Sequence, residues 1–143
     1  MFVGEYVHSV DDKSRVAIPV KFRNLLQNGG ILTRGNDGCL VIYRMNEWEK
    51  MMEKLARLPQ SKPDVRGYMR FLLSGATDFA MDKQGRINLP GFLKDFAGIN
   101  RKVVFVGVYD KLEVWEKDKW EEYRGQIEDQ TGEYLEQLEE YGL

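Results

Sequence analysis

The sequence predicts a β-rich α+β fold. One small unit is used twice, and the two copies interlock about an internal pseudo-twofold axis into one barrel-like core with flanking helices. Three observations predict this. Asp11-Asp12-Lys13-Ser14-Arg15-Val16-Ala17-Ile18-Pro19 returns as Asp82-Lys83-Gln84-Gly85-Arg86-Ile87-Asn88-Leu89-Pro90, a shift of 71 residues with no gap. Leu40-Val41-Ile42-Tyr43 returns as Leu112-Glu113-Val114-Trp115, and Trp48 as Trp120, at a shift of 72. A period this long with a single-residue slip marks duplication of one folding unit. Finally, each unit carries four short strands and one small helix, too little to bury both faces of a sheet alone.

The elements follow in order. Residues 5–10 read as a strand, and residues 11–14 as a polar turn in which Asp and Ser bond nearby backbone. Residues 15–18 begin a second strand of alternating character. Pro19 ends it and suits the first turn of a short helix over about 20–27, which buries Phe22, Leu25 and Leu26. Asn28-Gly29-Gly30 stops that helix. Strands 31–34 and 40–44 are joined by Gly35-Asn36-Asp37-Gly38. Asn46 with Glu49 resembles a capping box for a helix over about 47–58. The pair is Asn-x-x-Glu, one acceptor at each end of the first turn.

Pro59-Gln60-Ser61-Lys62-Pro63 is the one linker-like stretch, and Asp64 can cap a connecting helix running to about Leu73. The pattern then repeats. Strand 76–81, turn 82–85, strand 86–89, Pro90, helix 91–97 and Gly98 come first. Strand 102–108, turn 109–111 and strand 112–115 follow, and Asp118 with Glu121 offers a second capping-box start for a long last helix. The predicted organisation is a first repeat over 1–58, a linker and connecting helix over 59–74, and a second repeat over 75–143 that carries the acidic helix.

Composition narrows the class. Of the 143 residues, 43% are hydrophobic and 12% aromatic, enough for a packed core. No apolar run approaches the ~18 residues of a membrane span, and the N-terminal segment lacks the features of a signal peptide. The single cysteine, Cys39, cannot form an internal disulfide, which favours a cytoplasmic protein. Net charge is −2, but it is unevenly spread. Residues 113–143 hold eleven Asp/Glu against three Lys/Arg, and residues 1–112 hold 18 Lys/Arg against 12 Asp/Glu. A basic body with an acidic tail permits a polyanionic partner without demanding one.

The repeated Asp-x-x-x-Arg carries two readings. In one, Asp11 with Arg15 and Asp82 with Arg86 are ion pairs that serve only their turns, and such exposed pairs contribute little. In the other, Arg15 and Arg86 recognise phosphate or a guanine edge. Both copies keep Arg, whose planar fork suits bidentate recognition, and Lys13 and Lys83 add charge in the same turns. An aspartic-protease-like dyad of Asp11 and Asp82 is disfavoured, because each Asp has an Arg four residues on that holds it ionised. His8 is the only histidine, and Phe79 is its repeat partner, so a His-rich metal site is excluded. Nothing in the spacing supports a Cys39–His8 nucleophilic pair. Trp48 and Trp120 read as packing anchors. Met51, Met52 and Leu55 read as core or subunit interface.

As a set, these motifs are specific. Phe2-x-Gly4-Glu5-Tyr6, the two Asp-x-x-x-Arg segments closing with Pro, Leu73-x-Gly75-Ala76 and Leu112-Glu113-Val114-Trp115 together closely resemble the MraZ family of bacterial transcriptional regulators. One departure is Ser14, where Gly85 stands in the second turn. The resemblance covers nearly the whole chain. It implies two AbrB/SpoVT-type swapped-hairpin domains in one chain and no enzymatic activity, cofactor or metal. It also implies sequence-specific binding to short direct repeats of double-stranded DNA in the promoter of the division and cell-wall gene cluster. Localisation would be cytoplasmic and nucleoid-associated, and the homo-oligomer a ring of eight or more subunits. By motif, Arg15 and Arg86 become base-edge or phosphate contacts, Lys13 and Lys83 phosphate contacts, and Asp11 and Asp82 supports that orient the arginines. The acidic last helix would face away from DNA or pack against a neighbour. The competing class is an oligomeric protein-interaction ring without sequence readout.

Overall fold

The computed structural model describes Met1–Leu143. Eight strands form two sheets: β1 (Glu5–Ser9), β2 (Arg15–Ala17), β3 (Gly30–Arg34), β4 (Leu40–Arg44), β5 (Thr77–Phe79), β6 (Arg86–Asn88), β7 (Lys102–Val108) and β8 (Lys111–Glu116). Four helices accompany them: α1 (Met45–Ala56), α2 (Pro63–Ser74), α3 (Gly91–Ala97) and α4 (Lys117–Leu138).

The duplicated unit folds by exchange. The larger sheet runs β1-β7-β8-β4-β3-β5, and β2 pairs with β6 in a separate two-stranded ribbon. Each repeat therefore gives its first strand to the other. Tyr6 lies opposite Phe105 in the β1–β7 pair, and Ile31 lies opposite Asp78 in the β3–β5 pair. Exchanging the two repeats reverses the strand order and leaves it unchanged, which places the pseudo-twofold between β4 and β8. All pairings are antiparallel. The large sheet ends at β1 and β5 rather than closing on itself. The core is roofed by the ribbon and the short helices.

Strand alternation explains how. Val16 and Ile87 sit opposite each other in the ribbon and are buried. With Ile18 and Leu89 they form the roof of the main cluster, above Leu32, Ile42, Phe105 and Val114 of the sheet. Phe22, Leu26, Leu93 and Ala97 close its sides. Each of the larger side chains, Ala97 aside, contributes about 1.5–3 kcal/mol on removal from water. Two smaller clusters lie elsewhere: Trp48, Leu55 and Leu72 join α1 to α2, and Cys39, Val104, Trp115 and Trp120 join α4 to the sheet.

Several local expectations are corrected. The first short helix is two consecutive 3-10 turns, Val20–Phe22 and Asn24–Leu26, whereas its counterpart α3 is α-helical. Gly98 ends α3 in the left-handed region at φ 66°. The matching position in the first repeat is Gln27, for which that conformation is costly, and the chain runs on to Gly29 at φ 79°. Neither capping box forms. Helix α1 starts at Met45 with no side-chain cap, which leaves Asn46 inside its first turn. Helix α4 is capped by Glu116, whose carboxylate accepts from the Asp118 and Lys119 amides at 3.1 and 2.8 Å. Asp64 lies within the first turn of α2, after Lys62 and Pro63, where its charge still favours the helix dipole. Strands β1 and β5 are shorter than expected, and the last helix ends at Leu138 before a 3-10 turn over Glu139–Tyr141.

Candidate functional site

The two Asp–Arg turns are the same structure twice. Asp11 Oδ1 accepts from the Lys13 and Arg15 amides, each at 2.9 Å, and Oδ2 accepts from Arg15 Nε at 2.8 Å. Asp82 does the same for the Gln84 and Arg86 amides at 2.9 Å and for Arg86 Nε at 2.8 Å. In each turn the fourth residue donates its amide back to the Asp carbonyl at 3.0 Å, and the Asp amide donates to the Arg carbonyl at 2.9 Å. That fourth residue sits in the left-handed region, Ser14 at φ 60° and Gly85 at φ 77°. This is a tight turn closed by a bulge residue, which commonly needs glycine at the bulge. Ser tolerates the position in the first copy.

The carboxylates are fixed by these bonds. Both Asp11 and Asp82 lie below their ordinary value of 3.8, chiefly because the following Arg amide donates to them, with the guanidinium adding to the effect. An aspartate in this setting stays ionised and serves as an anchor, not as a proton donor.

The ribbon brings the two turns together. Arg15 lies opposite Asn88, and Arg86 lies opposite Ala17. Because neighbouring residues point to opposite faces, Arg15, Ala17, Arg86 and Asn88 share the outer face while Val16 and Ile87 point into the core. Arg86 Nη1 also comes within 3.8 Å of Asp11 Oδ2, so it faces both aspartates. Asn88 Nδ2 donates to the Lys13 carbonyl at 3.3 Å. Two further backbone bonds cross between repeats: Ile18 donates to Gly85 at 2.8 Å, and Leu89 donates to Ser14 at 2.8 Å.

Each guanidinium is held by Nε alone among hydrogen bonds, which leaves its Nη edge without a protein hydrogen bond. About a third of each Arg side chain remains exposed, 33% for Arg15 and 29% for Arg86. Lys13 and Lys83 are exposed in the same turns. Sequence reading missed two cations beside them. Lys94 Nζ donates to Ser14 Oγ at 2.9 Å, and Arg23 Nε donates to the Ile18 carbonyl at 2.9 Å while its side chain lies over Gly85. Their signal was present, because Arg23 and Lys94 are also 71 residues apart.

Other candidates do not gather chemistry. Cys39 is buried, and burial, with Glu113 nearby, pushes its thiol up to about 12. His8 packs edge-on against Phe105. No group of three or more His, Cys, Asp or Glu is placed to hold a metal, and no helix is long and apolar enough to cross a membrane.

Fold and turns together define a tandem swapped-hairpin protein that presents two basic Asp–Arg turns on one ribbon. Comparison with known proteins makes this specific. The family model described as "MraZ protein, putative antitoxin-like" matches residues 1–71 and again 72–137. Relatives named Transcriptional regulator MraZ include those of Natranaerobius thermophilus, 43% identical over 143 residues, and Moorella thermoacetica, 42% identical over 143 residues; both alignments cover all of each chain. The relative of that name in Clostridium tetani is 49% identical over 123 residues, covering 86% of this chain and 87% of its own. The chain belongs to the MraZ family, a family of transcriptional regulators and not of enzymes.

Proposed function

We propose that this protein is a cytoplasmic, nucleoid-associated transcriptional regulator. In this reading it binds short direct repeats of double-stranded DNA through Arg15 and Arg86, with Lys13 and Lys83 on phosphates and Asp11 and Asp82 as supports. The observation that carries the reading is the state of the two guanidinium groups. Each is anchored through Nε and keeps its Nη edge free of protein hydrogen bonds on the outer ribbon face, with Arg86 Nη1 at 3.8 Å from Asp11 Oδ2 as its one further ion-pair contact. A planar edge presented from a rigid turn suits guanine or phosphate. The family resemblance supplies the promoter of the division and cell-wall gene cluster as the target, and a ring of eight or more subunits as the assembly. A ring repeats the turns at fixed spacing, so direct repeats engage neighbouring subunits together and avidity adds to a modest single-site affinity.

The test is a titration of a direct-repeat fragment and a scrambled one at several salt concentrations, with wild type, Arg15→Ala and Arg86→Ala. Wild type is expected to prefer the repeats. Each substitution should remove about 1–3 kcal/mol of that preference if the arginine reads a base edge. Equal, steeply salt-dependent binding to both fragments, unchanged in the variants, would leave a basic surface only. The interaction-ring reading would then take precedence.

A further inference from the structure

One cation from each short helical segment reaches across to the turn of the other repeat. Lys94, in the second repeat, donates to Ser14 Oγ in the first. Arg23, in the first repeat, lies so close over Gly85 in the second that a Cβ there would stand 2.4 Å from its Nε and 2.6 Å from its Cζ. Both the cations and the residues they meet are related by the 71-residue shift. The contacts differ in kind. One is a hydrogen bond to a hydroxyl, and the other is a guanidinium laid on a bare glycine.

These residues occupy a sensitive place. Ser14 and Gly85 are the left-handed residues of their turns and immediately precede Arg15 and Arg86. Their backbone angles set the direction in which each arginine leaves the ribbon. Resting on the DNA-binding reading above, we propose that Arg23 and Lys94 are positioning residues: each braces the opposite repeat's turn and thereby sets the aim of its arginine. The two pairs, Lys94 with Ser14 and Arg23 with Gly85, are matched sets that are not interchangeable one residue at a time. Ser14 is then no tolerated lapse from glycine; it is the acceptor its lysine needs.

The experiment uses the full chain with a direct-repeat and a scrambled fragment across a salt series, alongside thermal melting. The variants are Lys94→Met, Gly85→Ser, and Gly85→Ser with Arg23→Lys. Lys94→Met is expected to lower repeat affinity about tenfold, within the discrimination of one misaimed bidentate contact, with the salt slope close to wild type. Gly85→Ser displaces the Arg23 guanidinium and should lose selectivity similarly. Adding Arg23→Lys rebuilds the first repeat's pair and should restore it.

A fall of about 0.9 in salt slope for Lys94→Met would make Lys94 a phosphate contact and overturn the bracing role. A lower melting temperature with unchanged selectivity would reduce both residues to structural ones and overturn it equally. Failure of the Arg23→Lys rescue would overturn the matched-pair claim. Absence of repeat preference in wild type would be seen separately, and would overturn the DNA reading and this role together.

Discussion

His8 and Phe79 occupy matching places in the two repeats, yet only His8 can titrate. Burial, helped by the nearby charge of Arg23, holds its imidazole below the ordinary 6.5. The folded chain therefore keeps His8 neutral while the unfolded chain takes up a proton. Stability should decline as pH falls below about 6.5 and level off once pH is below the folded value. The lowered carboxylates of Asp11 and Asp82 act in a separate window. Their contribution is present above the ordinary 3.8 and is lost as pH falls through their depressed values. Denaturant melts of wild type and His8→Phe between pH 7.5 and 5 should show a smaller acid-side loss in the variant, because phenylalanine has no proton to gain. Parallel curves would rule out His8 as the source. The Asp–Arg turns were readable at this scale because every bond within them spans four residues or fewer.

Between elements, β3 holds α2 by two side chains that no sequence pattern announced. Thr33 Oγ1, buried, donates to the Leu72 carbonyl at 2.6 Å, and Arg34 Nη1 donates to the Phe71 carbonyl at 3.0 Å. These carbonyls belong to the last turn of α2, where helix geometry leaves acceptors without partners. Arg34 also stacks over the Phe71 and Phe96 rings. Thr33→Val keeps the shape and removes the donor, leaving a buried carbonyl unsatisfied. Chemical denaturation should show a loss of about 1–3 kcal/mol; an unchanged midpoint would mean that the carbonyl finds another partner. The period of strands and helices was legible in the duplicated motif, whereas contacts such as Thr33 to Leu72 lie 39 residues apart and leave no local trace. The helix starts failed for a related reason. Asn46 and Asp118 have the right chemistry for caps, but the strands that feed α1 and α4 end two residues earlier, at Arg44 and Glu116, and strand pairing decides where each helix begins.

On the scale of the whole molecule, charge and apolar surface are both divided. Helix α4 packs through Trp120, Tyr123 and Ile127, and Glu5 receives hydrogen bonds from Trp120 Nε1 and Arg124. Beyond Ile127 every residue is exposed. Tyr134, Leu135, Leu138 and Tyr141 line this distal stretch at helical spacing, flanked by Glu128, Asp129, Glu133, Glu136, Glu139 and Glu140 with no Lys or Arg. An acidic helix with an uncovered apolar stripe has the character of an interface, and the basic body of a second copy is the partner that the proposed ring would supply. In the ring assembly proposed above, removing residues 128–143 should therefore lower the assembly size read by light scattering, while the melting temperature of the body holds. An intact oligomer with tighter DNA binding would instead give this segment the task of repelling DNA. The exchange of β1 and β5 could not be read from the repeat alone, because strands of a duplicated unit can pair within a copy or between copies with the same residues. That exchange also imposes a schedule on synthesis. Glu5 finds its partner in Val106, so at about 5–20 residues per second a nascent chain holds β1 idle for roughly 5–20 s before β7 leaves the ribosome. During that interval the first repeat is an incomplete half whose missing strands are encoded in its own unfinished tail and, equally, in every neighbouring chain on the same message.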